Sequence, residues 1–306
     1  MLVGFQIDAI ETLNLLTDSS MALIYESQVR KNRNFVYQPS TLTFKNNSVY
    51  AIGQEIDFKS NKFDSYQLSN LKEINLSKFD IIFIRQDPPF NMEYITSMYL
   101  LELLSSKVRF INNPVGIRNA PEKILMLQFS RLIPPTIITR SIDEVKKFTK
   151  KFRKAVIKPI YGNGGEGIFF LEDKDKNFNQ IIEGFISKNS EPFIVQKFLP
   201  EIKKGDKRII LVDGDPVAAI RRVPEKNEIR SNIHVGGKCK PIKLNKRDLH
   251  ICNEIKNILQ ENKLFFVGID IIGNYLTEIN VTSPTCIQEI KKINKIDVAK
   301  IIWDRV

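Results

Sequence analysis

Residues 157–170 read Ile157-Lys158-Pro159-Ile160-Tyr161-Gly162-Asn163-Gly164-Gly165-Glu166-Gly167-Ile168-Phe169-Phe170. Gly162, Gly164 and Gly167 stand at the G-x-G-x-x-G spacing of a dinucleotide fingerprint, whose glycines follow a strand and open a helix. Here Ile168-Phe169-Phe170-Leu171 continues as a strand, and no G-K-[ST] follows to make a P-loop. The four glycines, Gly165 included, therefore belong to a hairpin loop. Its bare N–H groups can approach the oxygens of a triphosphate without a Cβ in the way. Lys158, at the end of the preceding strand, would lie beside those phosphates. A merely mobile surface hairpin is the alternative reading of this stretch.

Downstream, "FIVQKFLPEIKKGDKR" (residues 193–208) is a strand stopped by Pro200. The last backbone groups of such a strand are open to an adenine edge, with Phe198 and Leu199 as apolar walls. Asp206 and Arg208 follow on a strand edge, where a surface ion pair is the structural alternative. Further on, "LTEINVTSP" (276–284) puts Glu278 and Asn280 on one strand face and Thr277, Ile279 and Val281 on the other. Oxygen ligands of this kind suit Mg²⁺; a solvated edge strand is the alternative. Asp270 precedes Gly273-Asn274 and Glu278 follows it. A strict two-residue loop puts these carboxylates on opposite faces, whereas a three-residue loop or a single bulge sets them directly across from each other.

The chain has 306 residues, long enough for two or three units, and 42% hydrophobic content with regular apolar runs indicates a globular protein. "MLVGFQIDAI" lacks a basic n-region, and no apolar run approaches the ~20 residues that span a bilayer, so a cytoplasmic location and no membrane partner are expected. Cys239, Cys252 and Cys286 show no C-x-x-C spacing and argue against a disulfide framework. His234 and His250 form no ligand cluster with them, which argues against zinc. The formal charge of +11 raises nucleic acid as a partner. The lysines are scattered over helix faces such as "DEVKKFTKKFRK", without a recognition helix or an aromatic-studded basic sheet, and nucleic-acid binding is not expected.

Strand and helix patterns alternate over the first 120 residues, predicting a doubly wound, mostly parallel α/β sheet. Ser141 with Glu144 reads as a capping box opening a helix. That helix and the strands "KAVIKP", "GIFFLED" and "FIVQKF" predict a smaller α+β unit. From about Lys203 the pattern is antiparallel: "RIILVDG" and "PVAAIRRV" turn at Asp213-Gly214-Asp215, and a helix leads into the hairpin "LFFVGIDIIGNYLTEINV".

The order of Lys123 in "APEKILMLQF", Lys158 in "VIKP", "GNGGEGIF", "VQKFLP", "GDKR", "VGIDIIG" and "LTEINVTSPTC" resembles the ATP-grasp carboxylate-amine ligases, specifically the bacterial-type glutathione synthetases. "TDSSMAL" and "IRQDPPFNMEYI" extend the resemblance through the first domain. It implies an ATP-grasp fold: an N-terminal α/β substrate domain (1–120), a central lid domain (121–202) and a C-terminal domain with the metal site (203–306). It also implies ATP with Mg²⁺, or Mn²⁺ in its place. Lys123, Lys158 and the loop Gly162, Gly164, Gly165 and Gly167 would hold phosphates. Gln196, Lys197, Phe198 and Leu199 would hold adenine, and Asp206 the ribose. Asp270, Glu278 and Asn280 would ligate the metal. Arg208, Arg222 and Arg230 would attend the transferred phosphoryl group. Asp18, Ser19, Ser20, Arg85, Asn232, Ser283 and Thr285 are candidates for the peptide substrate.

The implied reaction joins γ-glutamylcysteine to glycine through an acylphosphate, in a protein expected to be a homo-oligomer. The loop "PEKNEIRSNIHVGGK" (224–238) departs from the family's more glycine-rich "GGETRGN". Rival readings are another ATP-grasp ligase, of amino-acid or D-alanine type, and a nucleotide-binding regulator without catalysis. "DPPF" and "NVTSPTCI" favour the synthetase over the first, and retention of the metal-ligand residues argues against the second.

Overall fold

The computed structural model describes residues 1–59, 63, 65–162, 164–188, 190–225 and 238–306. The first sheet contains β1 (Leu2–Gln6), β2 (Arg33–Tyr37), β3 (Thr43–Lys45), β4 (Ser48–Phe58), β5 (Tyr66–Leu68), β6 (Lys72–Asn75), β7 (Ile81–Ile84) and β8 (Arg109–Ile111). Its order is β3-β4-β2-β1-β7-β8, with β5 and β6 also pairing β4. The centre, β2-β1-β7-β8, is parallel. Its strands are short apolar runs, as burial on both faces requires. Helices α1 (Ser19–Val29), α2 (Met92–Glu102) and α3 (Pro114–Asn119) belong to this unit. The doubly wound expectation holds for this centre. Around it lies an antiparallel elaboration that the strand pattern did not predict. β3 turns into β4 through Asn46-Asn47, both at positive φ, the residue type and conformation of a tight hairpin turn.

The second sheet, β11-β10-β12-β9, comprises β9 (Thr136–Thr139), β10 (Lys154–Pro159), β11 (Phe169–Glu172) and β12 (Phe193–Lys197) and is antiparallel. Period-2 alternation sorts its faces. Ala155, Ile157, Leu171, Phe193 and Val195 pack with Val145 and Phe148 of α4 (Ile142–Phe152) and Ile182 and Phe185 of α5 (Phe178–Lys188). Lys158 and Gln196 lie on the other face. Ser141 caps α4 by accepting from the Glu144 N–H at 3.4 Å, while the Glu144 carboxylate pairs with Lys147 at 2.7 Å. Half of the predicted capping box is therefore made.

The third sheet, β15-β14-β13-β16-β17, comprises β13 (Asp206–Val212), β14 (Asp215–Val223), β15 (Lys238–Pro241), β16 (Phe266–Ile272) and β17 (Tyr275–Asn280). Helices α6 (Lys246–Glu261), α7 (Ile287–Asn294) and α8 (Val298–Arg305) accompany it. Two hydrophobic cores run continuously between the first and third units. One joins Phe35, Ile82 and Met98 to Ile209, Ile269 and Ile279; the other joins Phe5, Leu23 and Phe83 to Ile210, Ile287 and Trp303. Buried Asn112 reinforces the join, donating to Phe266 O (2.7 Å) and Val281 O (2.8 Å) and accepting from Phe266 N (2.7 Å). The second unit has its own core.

Candidate active site

The polar face of the third sheet is assembled by cross-strand register. Asp206 lies opposite Arg222, Arg208 opposite Asp270, and Asp270 opposite Glu278. The turn between β16 and β17 is the strict two-residue Gly273-Asn274 form, since Ile272 pairs with Tyr275. The carboxylates nevertheless share a face. A register shift leaves Thr277 as an extra residue, and its hydroxyl donates to Asp270 O at 3.0 Å. The expected bulge is thus present, but it sits in β17 and not at the turn itself.

Arg208 clasps Asp270 through Nε (2.6 Å) and Nη2 (2.9 Å), and Arg222 clasps Asp206 at 2.8 and 2.6 Å. Arg222 also reaches Asp270 at 2.9 Å, so the four form one buried network. The surface pair considered for Asp206 and Arg208 does not exist; Asp206 pairs with Arg222, and all four groups are inside. Burial alone would raise the Asp270 carboxyl. Arg208 and Arg222 more than offset it and hold the group well below the usual carboxylate range. Gly268 keeps room for this arrangement, because a Cβ there would lie 3.3 Å from the Arg208 side chain.

The cation fit rests on the donors. Asn280 Nδ2 donates to Gly268 O (3.2 Å) and Asp270 Oδ2 (3.3 Å), which turns its Oδ1 away from those partners. Glu278, Asn280 and Asp270 line one cavity, and each carries a side-chain oxygen that can ligate a hard cation. Among the described residues no group of three or more His, Cys, Asp or Glu side chains could hold a metal. Two carboxylates and a carboxamide nonetheless fit Mg²⁺, which takes its remaining ligands from phosphate and water.

The opposite wall comes from the second sheet. Lys158, 5% exposed, donates to Gln196 Oε1 at 3.2 Å, and Gln196 donates to Thr136 Oγ1 at 2.9 Å. Burial pushes Lys158 down to about 8, against the attraction of Glu278. Lys123 approaches Glu278 at 3.7 Å and donates to the Gly162 carbonyl, tying the glycine loop to the third sheet. In that loop Gly164, Gly165 and Gly167 have φ of 61°, 81° and 70°, and a Cβ on Gly162 would lie 2.5 Å from Pro159. Glycine takes up these positions without the strain a Cβ would bring.

At the hinge, Lys197 N donates to Pro135 O (2.9 Å) and Phe198 N to Lys154 O (3.1 Å). Those two amides are engaged, which corrects the expectation that the strand end leaves them open. Phe198 and Leu199 still wall the cavity, together with Ile202.

The substrate candidates gather beside the first sheet. Arg85 is 3% exposed and donates to Ser20 Oγ (3.2 Å) and Pro284 O (2.9 Å), while Ser283 Oγ donates to Arg85 O (3.2 Å). Asp18 caps α1, accepting from Met21 N at 2.8 Å, and Ser19 is buried beside it. Arg208 Nη1 reaches Thr285 Oγ1 at 3.5 Å, linking this group to the network. Arg230 and Asn232 lie outside the described residues. Sequence reasoning missed Glu122, which lines the cavity and accepts from Thr282 Oγ1 at 2.9 Å. Burial raises its carboxyl, and Lys123 opposes that rise. Its position next to Lys123 was the available signal.

Residues 1–118 match the prokaryotic glutathione synthetase N-terminal domain, and residues 122–295 match the ATP-grasp domain of the same family. A glutathione synthetase of Agrobacterium fabrum is 44% identical over 99% of this chain and 95% of its own length. One of Buchnera aphidicola is 36% identical over 99% and 96%. Among solved structures, a D-cycloserine synthetase superposes with a TM-score of 0.69 at 11% identity, covering 99% of each chain, a likeness of fold alone. With both halves matched and relatives of this identity aligned end to end, the chain belongs to the prokaryotic glutathione synthetase family of ATP-grasp ligases.

Proposed function

We propose that the protein joins γ-glutamylcysteine to glycine with ATP, giving glutathione, ADP and phosphate. One observation carries the reading: in a chain that matches this family over both halves, Lys158 and the Asp206–Arg222–Asp270–Arg208 network line opposite walls of a single cavity. Lys123, Lys158 and the glycine loop receive the phosphates, Phe198 and Leu199 flank the base, and Asp206 accepts from the ribose. Asp270, Glu278 and Asn280 hold Mg²⁺, which shields the negative oxygens of the phosphates when bound.

The cysteinyl carboxylate attacks the γ-phosphorus, ADP leaves, and the glycine amine displaces phosphate from the resulting acylphosphate. Arg208 and Arg222 are fixed by Asp270 and Asp206 before reaction, so they neutralise charge on the moving phosphoryl group without reorganising. No protein nucleophile is required. The chain's net charge of +11 also favours the approach of anionic substrates.

A matrix of carboxylates and amines assayed for ADP release tests this. The γ-glutamylcysteine and glycine pair should give stoichiometric ADP, phosphate and tripeptide. Dipeptide without glycine should release ADP slowly, yet scramble label from the β,γ-bridge oxygen of ATP; glycine without dipeptide should do neither. Arg208→Ala should depress turnover and scrambling together. If D-alanine or glutamate supports turnover better than the γ-glutamylcysteine and glycine pair, the glutathione assignment is wrong.

A further inference from the structure

Pro88-Pro89-Phe90 follows the end of β7, and Tyr161 follows the end of β10. β7 belongs to the first unit and β10 to the second, whose core is its own. Their rings nevertheless stack, with centroids 6.1 Å apart and planes inclined by 22°. Phe90 is 7% exposed and anchored in the first core, where the Tyr94 ring of α2 lies 5.3 Å away. Tyr161 is 43% exposed, so it meets Phe90 at a surface and not within a shared core.

Beside this contact the two units part. A cleft of about 1120 Å³ opens between them, walled by Phe90, Met92 and Ile95 on one side and by Tyr161, Phe169 and Phe185 on the other. A packed interface spreads its energy over many side chains, whereas an aromatic pair at the edge of an open cleft concentrates it in two rings. Each ring is also close in the chain to a part of the site. Gly162, the first glycine of the phosphate loop, directly follows Tyr161, and its carbonyl accepts from Lys123. Arg85, a candidate for the peptide substrate, lies five residues before Phe90, and the fixed φ of Pro88 and Pro89 makes the intervening connection stiff.

Resting on the glutathione-synthetase reading, we propose that the Phe90–Tyr161 stack couples the peptide site to the glycine loop, so that bound dipeptide strengthens the hold on ATP. The element has two states, rings stacked and rings parted. Dipeptide holds the end of β7 in the position that stacks, and the triphosphate holds the loop in it, so each ligand favours the other's site to the same degree. Phe90 and Tyr161 are thus positioning residues that act through the strand end and the loop. The coupling suits a reaction in which the carboxylate is the phosphoryl acceptor, because ATP is then covered chiefly when its acceptor is in place.

The test measures the Kd of a non-hydrolysable ATP analogue with Mg²⁺, in the absence and in the presence of saturating γ-glutamylcysteine. In the wild type the dipeptide should tighten the analogue by at least about fivefold. In Tyr161→Ala and in Phe90→Ala that ratio should fall to within about twofold, and the double variant should lose no more than either single one, since both remove the same contact. Tyr161→Phe, which keeps the ring, should retain the wild-type ratio. A wild-type ratio of one, a Tyr161→Ala ratio equal to the wild type's, or a Tyr161→Phe loss as large as that of Tyr161→Ala overturns the inference. Should Phe90→Ala not fold, the two variants at exposed Tyr161 decide. A wild type that turns over γ-glutamylcysteine with no amine overturns the parent reading, and the inference with it; normal turnover with a ratio of one overturns the inference alone.

Discussion

Glu278 occupies a position that disfavours stability. It stands directly across the hairpin from Asp270, and like charges in that relation repel. Its pairing with Lys123 at 3.7 Å is loose. Glu278→Ala should therefore abolish turnover while changing stability by no more than about 1 kcal/mol, measured by denaturant unfolding beside the ADP-release assay. Full activity in this variant would remove Glu278 from the metal set. Lys158 carries a pH signature. Burial sets it near 8, whereas the unfolded chain titrates near 10.4. Below about pH 8 the fold bears the whole cost of a buried cation. As pH rises towards 10, folded Lys158 loses its proton first, so this contribution to stability improves. Phosphate binding should move the other way. The Kd of a non-hydrolysable ATP analogue should rise about tenfold between pH 7.5 and 9 in the wild type, and stay flat in Lys158→Arg, whose guanidinium remains charged. A flat wild-type profile would show that Lys158 does not meet the phosphates.

At the scale of the element, the glycine hairpin and the β16–β17 hairpin solve opposite problems. The glycine loop has three positive-φ glycines with little intrinsic conformational preference, and we propose that a ligand supplies much of its order. Protease cleavage within residues 162–167 should slow on adding Mg²⁺ and ATP, read by the rate of fragment appearance. Cleavage indifferent to nucleotide would count against a phosphate-covering loop. In the β16–β17 hairpin the order is internal: the Thr277 bulge aligns two carboxylates and pins its own hydroxyl to the facing strand.

Across the whole molecule, the second unit differs from the other two. The first and third share two continuous cores, whereas β9–β12 with α4 and α5 bury a core of their own. Separate cores permit relative motion. We propose that the segments 1–120, 121–202 and 203–306 work as one body formed by the first and last, closed by the middle one. Hydrogen exchange should show β10 and β12 less protected than β1 and β13 without ligand, and selectively protected by Mg²⁺ and ATP. Uniform protection across the three sheets would contradict an independently moving lid. A homo-oligomer remains our proposal for the assembly.

Much of this was legible in the sequence, for local reasons. Period-2 alternation in "KAVIKP" and "FIVQKF" fixes which side chains share a face, and a strand after Gly167 excludes a Rossmann turn, because these properties depend on neighbours a few residues apart. Family resemblance then named Asp206, Arg208, Arg222 and Asp270 as candidate positions. Which of them pair was not legible. Asp206 with Arg222 and Arg208 with Asp270 follow from strand register, and register is set by burial of the whole opposite face against α6. The same holds for the Thr277 bulge, for the antiparallel strands added between β2 and β7, and for the stacking of Phe90 on Tyr161. Each joins residues distant in the chain, and only tertiary packing brings them together.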